Sequence, residues 1–324
     1  MCEGEGIKVE NYEISVIVVT YNVNYEKLFS TLTSIIKQKK VECEIIIADD
    51  GTVNFMEEKL IQWFKNNNFK HYKLVANKKN QGTVKNIISG LKVSEGKFIK
   101  TISPGDYLVG EECLYNMLRF MKQEEAFVAF GKAYYYKQDN NKYSVLNKSN
   151  PLDLDVYRIK NQKKIVNNYI LFQDYILGAA LICEKSLMVQ YIKFIQDKIT
   201  YSEDRIFILM MADGVKIAFC DEYFVWYECS TGVSTSGASE WMKILSQERQ
   251  ACYKLLCEKD KKYRAIYEIQ VGQWSMSSIW LRIVRKLYFV CRKIRQRKLE
   301  SELKVDISEL QELENCGRTY HASN

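Results

Sequence analysis

Hydrophobic positions follow two rhythms along the first hundred residues. Ile14 to Thr20 (ISVIVVT) is an unbroken β-branched run, short enough for a strand buried on both faces. Leu28, Leu32, Ile35 and Ile36 then recur at helical spacing, and ECEIIIA at 42–48 forms a second buried run. Strand, helix, strand in that order predicts a βαβ unit. The alternation continues with a helix around 55–66, a strand at Tyr72 to Ala76, a helix around 84–94 and a strand at Phe98 to Ile102. It predicts an α/β fold with an open, mostly parallel sheet flanked by helices. Ligands of such sheets bind beyond the carboxyl ends of the strands. Those ends read TYN at 20–22, DDGT at 49–52, NKKN at 77–80 and SPGD at 103–106, all polar, small or acidic.

Beyond residue 125 the rhythm loosens. Ala126 to Tyr136, Tyr175 to Cys183 and Lys216 to Trp226 read as strands, and 137–170, rich in Lys, Asn and Tyr, as a mobile excursion. Ser202 precedes Glu203, Asp204 and an apolar run, which predicts a helix with Ser202 as N-cap and both carboxylates in its first turn. From about 238 onward the pattern is helical. The expected division is therefore 1–237 for the sheet domain and 238–324 for a helical, basic extension.

Composition narrows the function classes. The 324 residues are 47% hydrophobic and 27% charged, ample for one domain of about 200 to 250 residues plus an appendage. The net charge of +7 is modest, and much of it falls in 274–299. There Trp274, Trp280, Leu281, Ile283, Val284, Leu287, Tyr288 and Val290 alternate with Arg282, Arg285, Lys286, Arg292, Lys293, Arg295, Arg297 and Lys298. Such a segment either lies in an anionic membrane surface or packs on the domain with a solvated basic face. No recognition module surrounds these charges, so no nucleic-acid partner is expected. Ten scattered cysteines without a CxxC pair read as reduced thiols of a cytoplasmic protein, peripheral on the inner face of the membrane if 274–299 binds there. The first residues lack a secretory signal, and no apolar run approaches the roughly 18 residues of a membrane span. His71 and His321, both in polar stretches and expected at solvated positions, are too few for a His-based zinc centre or a Ser-His-Asp hydrolase. No GxGxxG follows the first strand, which argues against an NAD-dependent enzyme.

Five segments, SVIVVTYN (15–22), EIIIADDGT (44–52), NQGTVKN (80–86), GKFIKTISPGD (96–106) and SED (202–204), occur in the order and spacing of the inverting glycosyltransferases of family 2. The resemblance spans roughly 14–235. It implies a GT-A fold, Rossmann-like, and is similar especially to bacterial members that build capsule, O-antigen or exopolysaccharide. It implies that Thr20, Tyr21, Asn22 and Asp50 hold the nucleotide of a UDP-sugar, Asp50 accepting the base imide N–H and Tyr21 flanking the base. Gly82 and Lys85 would serve the diphosphate at a helix start. Ser103 and Asp106 would form the sugar–diphosphate corner, with Asp106 either the ligand of Mg2+ or Mn2+ or a residue that shapes the sugar pocket while the metal depends on something else. Ser103 and Gly105 stand where the family commonly has acids, so this cluster is depleted. Asp204 would be the catalytic base that deprotonates the acceptor hydroxyl, with Glu203 supporting it or touching the acceptor. The acceptor implied is a growing surface glycan, in many relatives carried on a lipid. Taken singly, DDG and SPGD also read as turns, Lys85 as a solvated helix residue and Glu203-Asp204 as ordinary first-turn acids. The depleted cluster keeps open a second function: a catalytically silent GT-A protein that binds a nucleotide or partner within a glycan-assembly complex.

Overall fold

The computed structural model describes residues 12–139, 142–229, 239–297 and 303–323. Four parallel strands form its first half: β1 (Ile14–Thr20), β2 (Cys43–Asp49), β3 (Tyr72–Ala76) and β4 (Phe98–Ile102), in the order β3-β2-β1-β4. Helices α1 (Tyr25–Ile36), α2 (Glu57–Asn66) and α3 (Thr83–Val93) connect them. The unbroken apolar run of β1 is explained by cover on both faces. Ile17 packs with Val84, Ile87 and Leu91 of α3, while Val16 and Val18 pack with Leu28, Leu32 and Leu60 of α1 and α2.

The sheet then continues with mixed direction, β4-β8-β6-β9-β5. These strands are β5 (Tyr107–Leu108), β6 (Val128–Asp139), β7 (Lys142–Leu146), β8 (Leu181–Glu184) and β9 (Ile217–Glu228), with β7 hairpinned onto β6. Helix α4 (Cys113–Gln123), which the apolar periodicity did not bring out, covers this half through Leu114, Met117 and Met121.

The 137–170 stretch is not an excursion. It holds β7, two short helices α5 (Asp155–Arg158) and α6 (Gln162–Val166), and a π-turn at Asn167–Leu171, with Val156, Tyr157, Ile165, Tyr169 and Ile170 buried. Its polar composition had hidden these five apolar anchors. Likewise only the last three residues of the expected Tyr175 to Cys183 strand pair as strand, in β8 (Leu181–Glu184), because a 3-10 turn at Gly178–Ala180 interrupts it.

Helices α7 (Lys185–Ile195) and α8 (Ile206–Ala212) belong to the sheet domain, and the helical extension comprises α9 (Ser239–Lys259), α10 (Arg264–Gln270), α11 (Met276–Arg297) and α12 (Ser308–Ser323). The expected boundary at 237/238 lies outside the described residues. Cys252, Tyr253, Leu256 and Ile266 share one hydrophobic cluster with the sheet, so α9 and α10 are part of its core. Helix α12 folds back over α1 and the β5–β9 edge, burying Leu310 and Leu313 against Tyr107, Tyr136 and Trp226. The two histidines, expected at solvated positions, are instead partly buried and partnered. His71 Nδ1 meets the Tyr12 hydroxyl at 2.9 Å, and His321 Nδ1 lies 3.2 Å from Lys59 Nζ. Among the described residues no helix is long and apolar enough to cross a membrane. The nine described cysteines are free.

Candidate active site

The strand ends meet at one edge and are laced together. The Thr20 hydroxyl donates to Asp49 Oδ1 at 2.8 Å, and the same oxygen accepts from the Thr52 hydroxyl at 2.7 Å. Asp49 Oδ2 accepts the Thr52 N–H at 2.7 Å, and the Thr52 hydroxyl oxygen accepts the Asn22 N–H at 2.8 Å. These bonds fix the turn after β1 and leave Tyr21 and Asn22 exposed at its tip, Tyr21 at 50%. Asn86, buried on α3, donates to Ala48 O at 2.7 Å and so ties the helix to the end of β2.

Asp50 sits at this corner but faces inward. It is 3% exposed, and its carboxylate accepts the N–H of Gln81 at 2.9 Å, the N–H of Gly82 at 2.7 Å and the Asn77 side-chain amide at 3.3 Å. Three of the roughly four acceptor positions of a carboxylate are thus taken by the 77–82 loop. Gly82 follows with φ +88°, and a Cβ there would lie 2.1 Å from Thr200 Cγ2 and 2.7 Å from Thr200 O. Only glycine admits that approach, which lets the Val84 N–H donate to Thr200 O at 2.9 Å. Two of the donors at the start of α3 are therefore satisfied within the protein. Lys85 points outward, exposed.

The third corner is the SPGD turn. Ser103 is exposed and its carbonyl accepts the Asp106 N–H at 3.0 Å, a turn bond. Asp106 is 7% exposed, with Oδ1 accepting the Glu228 N–H at 3.1 Å. Burial pushes its carboxyl up to about 7, against the pull of that N–H and of Lys100. Lys100, fully buried on β4, donates to Thr101 O at 3.0 Å and to Ala179 O, and burial lowers it to about 8. Lys27 Nζ donates to both carboxylate oxygens of Glu228, at the end of β9, at 2.6 and 2.7 Å. Gly105, φ +99°, makes room for this pair, because a Cβ there would lie 2.4 Å from Glu228 Oε2.

The side chains around Asp106 offer a sparse donor set for the expected Mg2+ or Mn2+. Two carboxylates are present, one buried against a backbone N–H and the other neutralised by an ammonium. Among the described residues no group of three or more His, Cys, Asp or Glu is arranged to hold a metal ion. A hard cation needs several oxygens at about 2.0–2.6 Å, more than these residues supply by themselves.

The fourth element carries the acids. Glu203 and Asp204 stand on a 3-10 turn, Glu203–Arg205, that leads into α8. Ser202 does not cap it: its hydroxyl is buried without a hydrogen-bond partner, while its N–H goes to Glu248 Oε2 at 2.9 Å. Glu248 of α9 also accepts the N–H groups of Thr200 at 2.8 Å and Tyr201 at 2.9 Å. Asp204 is partly exposed and lies beside Gly178, whose missing side chain would begin 3.7 Å from its Cβ. Arg205, stacked over Tyr175 at 4.9 Å, brings its Nε to 4.0 Å from Asp204 Oδ1. Glu203 shares a narrow gap with Ile99, Cys183, Met188 and Phe207. Burial there, and then the charge of Asp204, holds the Glu203 carboxyl well above the usual range.

Four residues of this constellation escape sequence reasoning. Lys100 left a signal, a lysine inside the apolar run KFIKTI, and Glu228 another, an acid closing YFVWYE. Lys27 and Glu248 left none, because each sits at an amphipathic helix position where a charge is ordinary.

Known proteins fit this picture. Residues 15–189 match the family Glycosyl transferase family 2. No curated protein matches the sequence. Among solved structures, Staphylococcus aureus TarS residues 1–349 in complex with UDP is similar at 17% identity and a TM-score of 0.52, over 80% of this chain and 70% of that one. The Pyrobaculum calidifontis mannosyltransferase PcManGT, in complex with GDP-Man and Mn2+, is similar at 10% identity and a TM-score of 0.55, over 98% of this chain and 88% of that one. At such identities the structural likeness speaks for the GT-A fold, and the family match covers more than half of the chain. The protein belongs to glycosyl transferase family 2 and is a nucleotide-sugar glycosyltransferase.

Proposed function

We propose that the protein is an inverting transferase that moves a sugar from a UDP-sugar onto a hydroxyl of a growing surface glycan, a lipid-linked one included. One observation carries this reading. The donor-side loop 77–82, pinned by Asp50, and the acid turn at 203–205 are joined through Thr200, whose carbonyl takes the Val84 N–H while Glu248 clamps residues 200–202. Donor corner and candidate base thus belong to one hydrogen-bonded unit, as a reaction needing fixed geometry between two substrates requires.

In this reading the acceptor oxygen attacks the anomeric carbon from the face opposite the diphosphate. Asp204 takes the hydroxyl proton as the new C–O bond forms and the bond to the diphosphate breaks. Glu203, kept protonated near neutrality by its surroundings, donates a hydrogen bond to the acceptor rather than accepting its proton. Two neighbouring carboxyl groups in unlike environments divide the work in this manner. Tyr21, Asn22, Ser103 and Lys85, all exposed around the strand ends, are the side chains open to the nucleotide and its phosphates. Thr20, Asp50 and Gly82 act beneath them by holding the loops, and Asp50 can meet a uracil imide only if the 77–82 loop shifts off it.

The test is a thermal-shift panel of nucleoside diphosphates and nucleotide sugars, followed by transfer or donor hydrolysis with the responding donor. Uridine nucleotides should raise the melting point. Asp204→Asn should lower turnover by about 10^2-fold or more while leaving the nucleotide shift in place, and Glu203→Gln should cost far less. Equal turnover in Asp204→Asn and wild type would remove the base assignment. A nucleotide shift without any turnover in the wild type would favour the catalytically silent reading, to which the depleted acid cluster at Asp106 belongs.

A further inference from the structure

Helix α11 is mounted the wrong way round for a helix of a water-soluble domain. Arg285, Tyr288 and Arg292, on its polar side, face the protein. Arg285 donates to Gln173 Oε1 at 2.5 Å, the Tyr288 hydroxyl to Asp174 Oδ2 at 2.6 Å, and Arg292 to Asp153 Oδ2. Asp174 is in turn held by the N–H groups of Leu152 at 2.7 Å and Asp153 at 3.1 Å, so this polar seat is built into the 150–175 segment. The opposite face is apolar and exposed. Met276, Trp280, Ile283, Val284, Leu287 and Val290 recur at i, i+4, i+7, i+8, i+11 and i+14, which places them within an arc of about 120°. Met276 is 72% exposed, Trp280 62% and Leu287 59%. A contiguous stripe of this kind is rare on a monomer surface and marks a contact.

Charge selects the occupant. The 22 residues of α11 include no Asp or Glu, whereas Arg282, Arg285, Lys286, Arg292, Lys293, Arg295 and Arg297 are all basic. Laying two copies of this helix stripe to stripe would bring cation against cation. Lys286 and Lys293, exposed on one flank of the stripe, instead suit a surface of fixed negative charge. They also line, with Phe289 and Val290, a cavity of about 630 Å3 between α11 and the 150–175 segment. We infer that α11 docks the protein on an anionic lipid bilayer, with Met276, Trp280, Ile283, Val284, Leu287 and Val290 below the headgroups and Lys286 and Lys293 among the lipid phosphates.

The test uses the full chain and vesicles, without donor or acceptor, so it stands apart from the transferase reading. Wild type should sediment with phosphatidylcholine–phosphatidylglycerol vesicles and much less with phosphatidylcholine alone. The double variant Trp280→Ser, Leu287→Ser should lose vesicle binding about tenfold or more at an unchanged melting temperature, because both side chains face solvent in the free protein. Lys286→Gln with Lys293→Gln should remove the preference for anionic lipid and its salt sensitivity while keeping a residual apolar partition. Wild type that stays in the supernatant with both vesicle types overturns the inference. So does vesicle binding unchanged by the serine pair, or a dimer dissolved by that pair in a protein that ignores vesicles.

Discussion

Lys27 on α1 and Glu228 at the end of β9 form a two-pronged ion pair, 2.6 and 2.7 Å long, beside Asp106. Their separation of 201 residues makes it a long-range clasp between helix α1 and the far end of the sheet. Glu228 is 5% exposed and Lys27 19%, so the pair is poorly screened. Lys27→Met should destabilise the protein by about 2–4 kcal/mol, mainly by leaving a buried carboxylate without its cation. Lys27→Met with Glu228→Gln should recover most of that loss. Urea unfolding of the two single variants and the double checks it, and strict additivity would show that the pair is not coupled.

Asp106 gives a pH signature. Its carboxyl is about 7 when folded, raised by burial, against an ordinary value of 3.8. Between these values the folded protein keeps a proton that the unfolded chain has lost, so stability falls as pH rises from about 4 to about 7 and then levels. Asp106→Asn imitates the protonated form and can still accept the Glu228 N–H. It should flatten that slope and make the protein more stable than wild type above pH 7, by on the order of 1–4 kcal/mol at about 1.4 kcal/mol per pKa unit. Melting temperatures across pH 4 to 8 decide it. Lys100, lowered to about 8, acts in a separate window above that range.

Because Lys27 already neutralises Glu228, the carboxylate beside Asp106, nucleotide binding should survive chelation. The melting shift produced by a uridine nucleotide is expected to be the same in EDTA as in Mn2+. A shift that needs Mn2+ and disappears in Asp106→Asn would instead assign the metal to that residue.

Glu248 holds three consecutive backbone N–H groups ahead of the acid turn. Glu248→Ala should cost about 2–4 kcal/mol, since charge-assisted bonds to a buried carboxylate are lost and their donors left unpaired. Its effect should extend to turnover, because the released loop carries both Asp204 and the Thr200 carbonyl that seats α3. Glu248→Gln, which keeps one good acceptor, should lose less on both counts. Turnover unchanged in Glu248→Ala would separate the loop from the chemistry.

Gly82→Ala is the matching test on the donor side. A methyl group would meet Thr200 at 2.1 Å in a left-handed backbone conformation, so a loss of about 1–3 kcal/mol and a weaker nucleotide shift are expected. Thr200→Ser in the same chain, which removes the clashing methyl, should restore part of both.

Much of the fold follows from the sequence alone. Runs such as ISVIVVT and ECEIIIA state their burial on both faces, and the alternation with helical spacing leaves a parallel βαβα arrangement as the simple solution. The polar strand ends that carry TYN, DDGT and SPGD follow from the same rule, since ligands collect where parallel strands terminate. The family is legible too, because its motifs are local. What the tertiary structure decided are the pairings that cross the chain. That Asp50 turns inward to a loop, that Lys27 meets Glu228 and that Glu248 reaches residues 200–202 depend on which helix packs where, and a single charged residue on an amphipathic helix does not announce its partner. The same holds for α11. Its periodicity reveals an apolar stripe and a basic one, but which faces the protein was settled by Gln173, Asp174 and Asp153, whose hydrogen bonds fixed the polar side inward and left the apolar side to the outside.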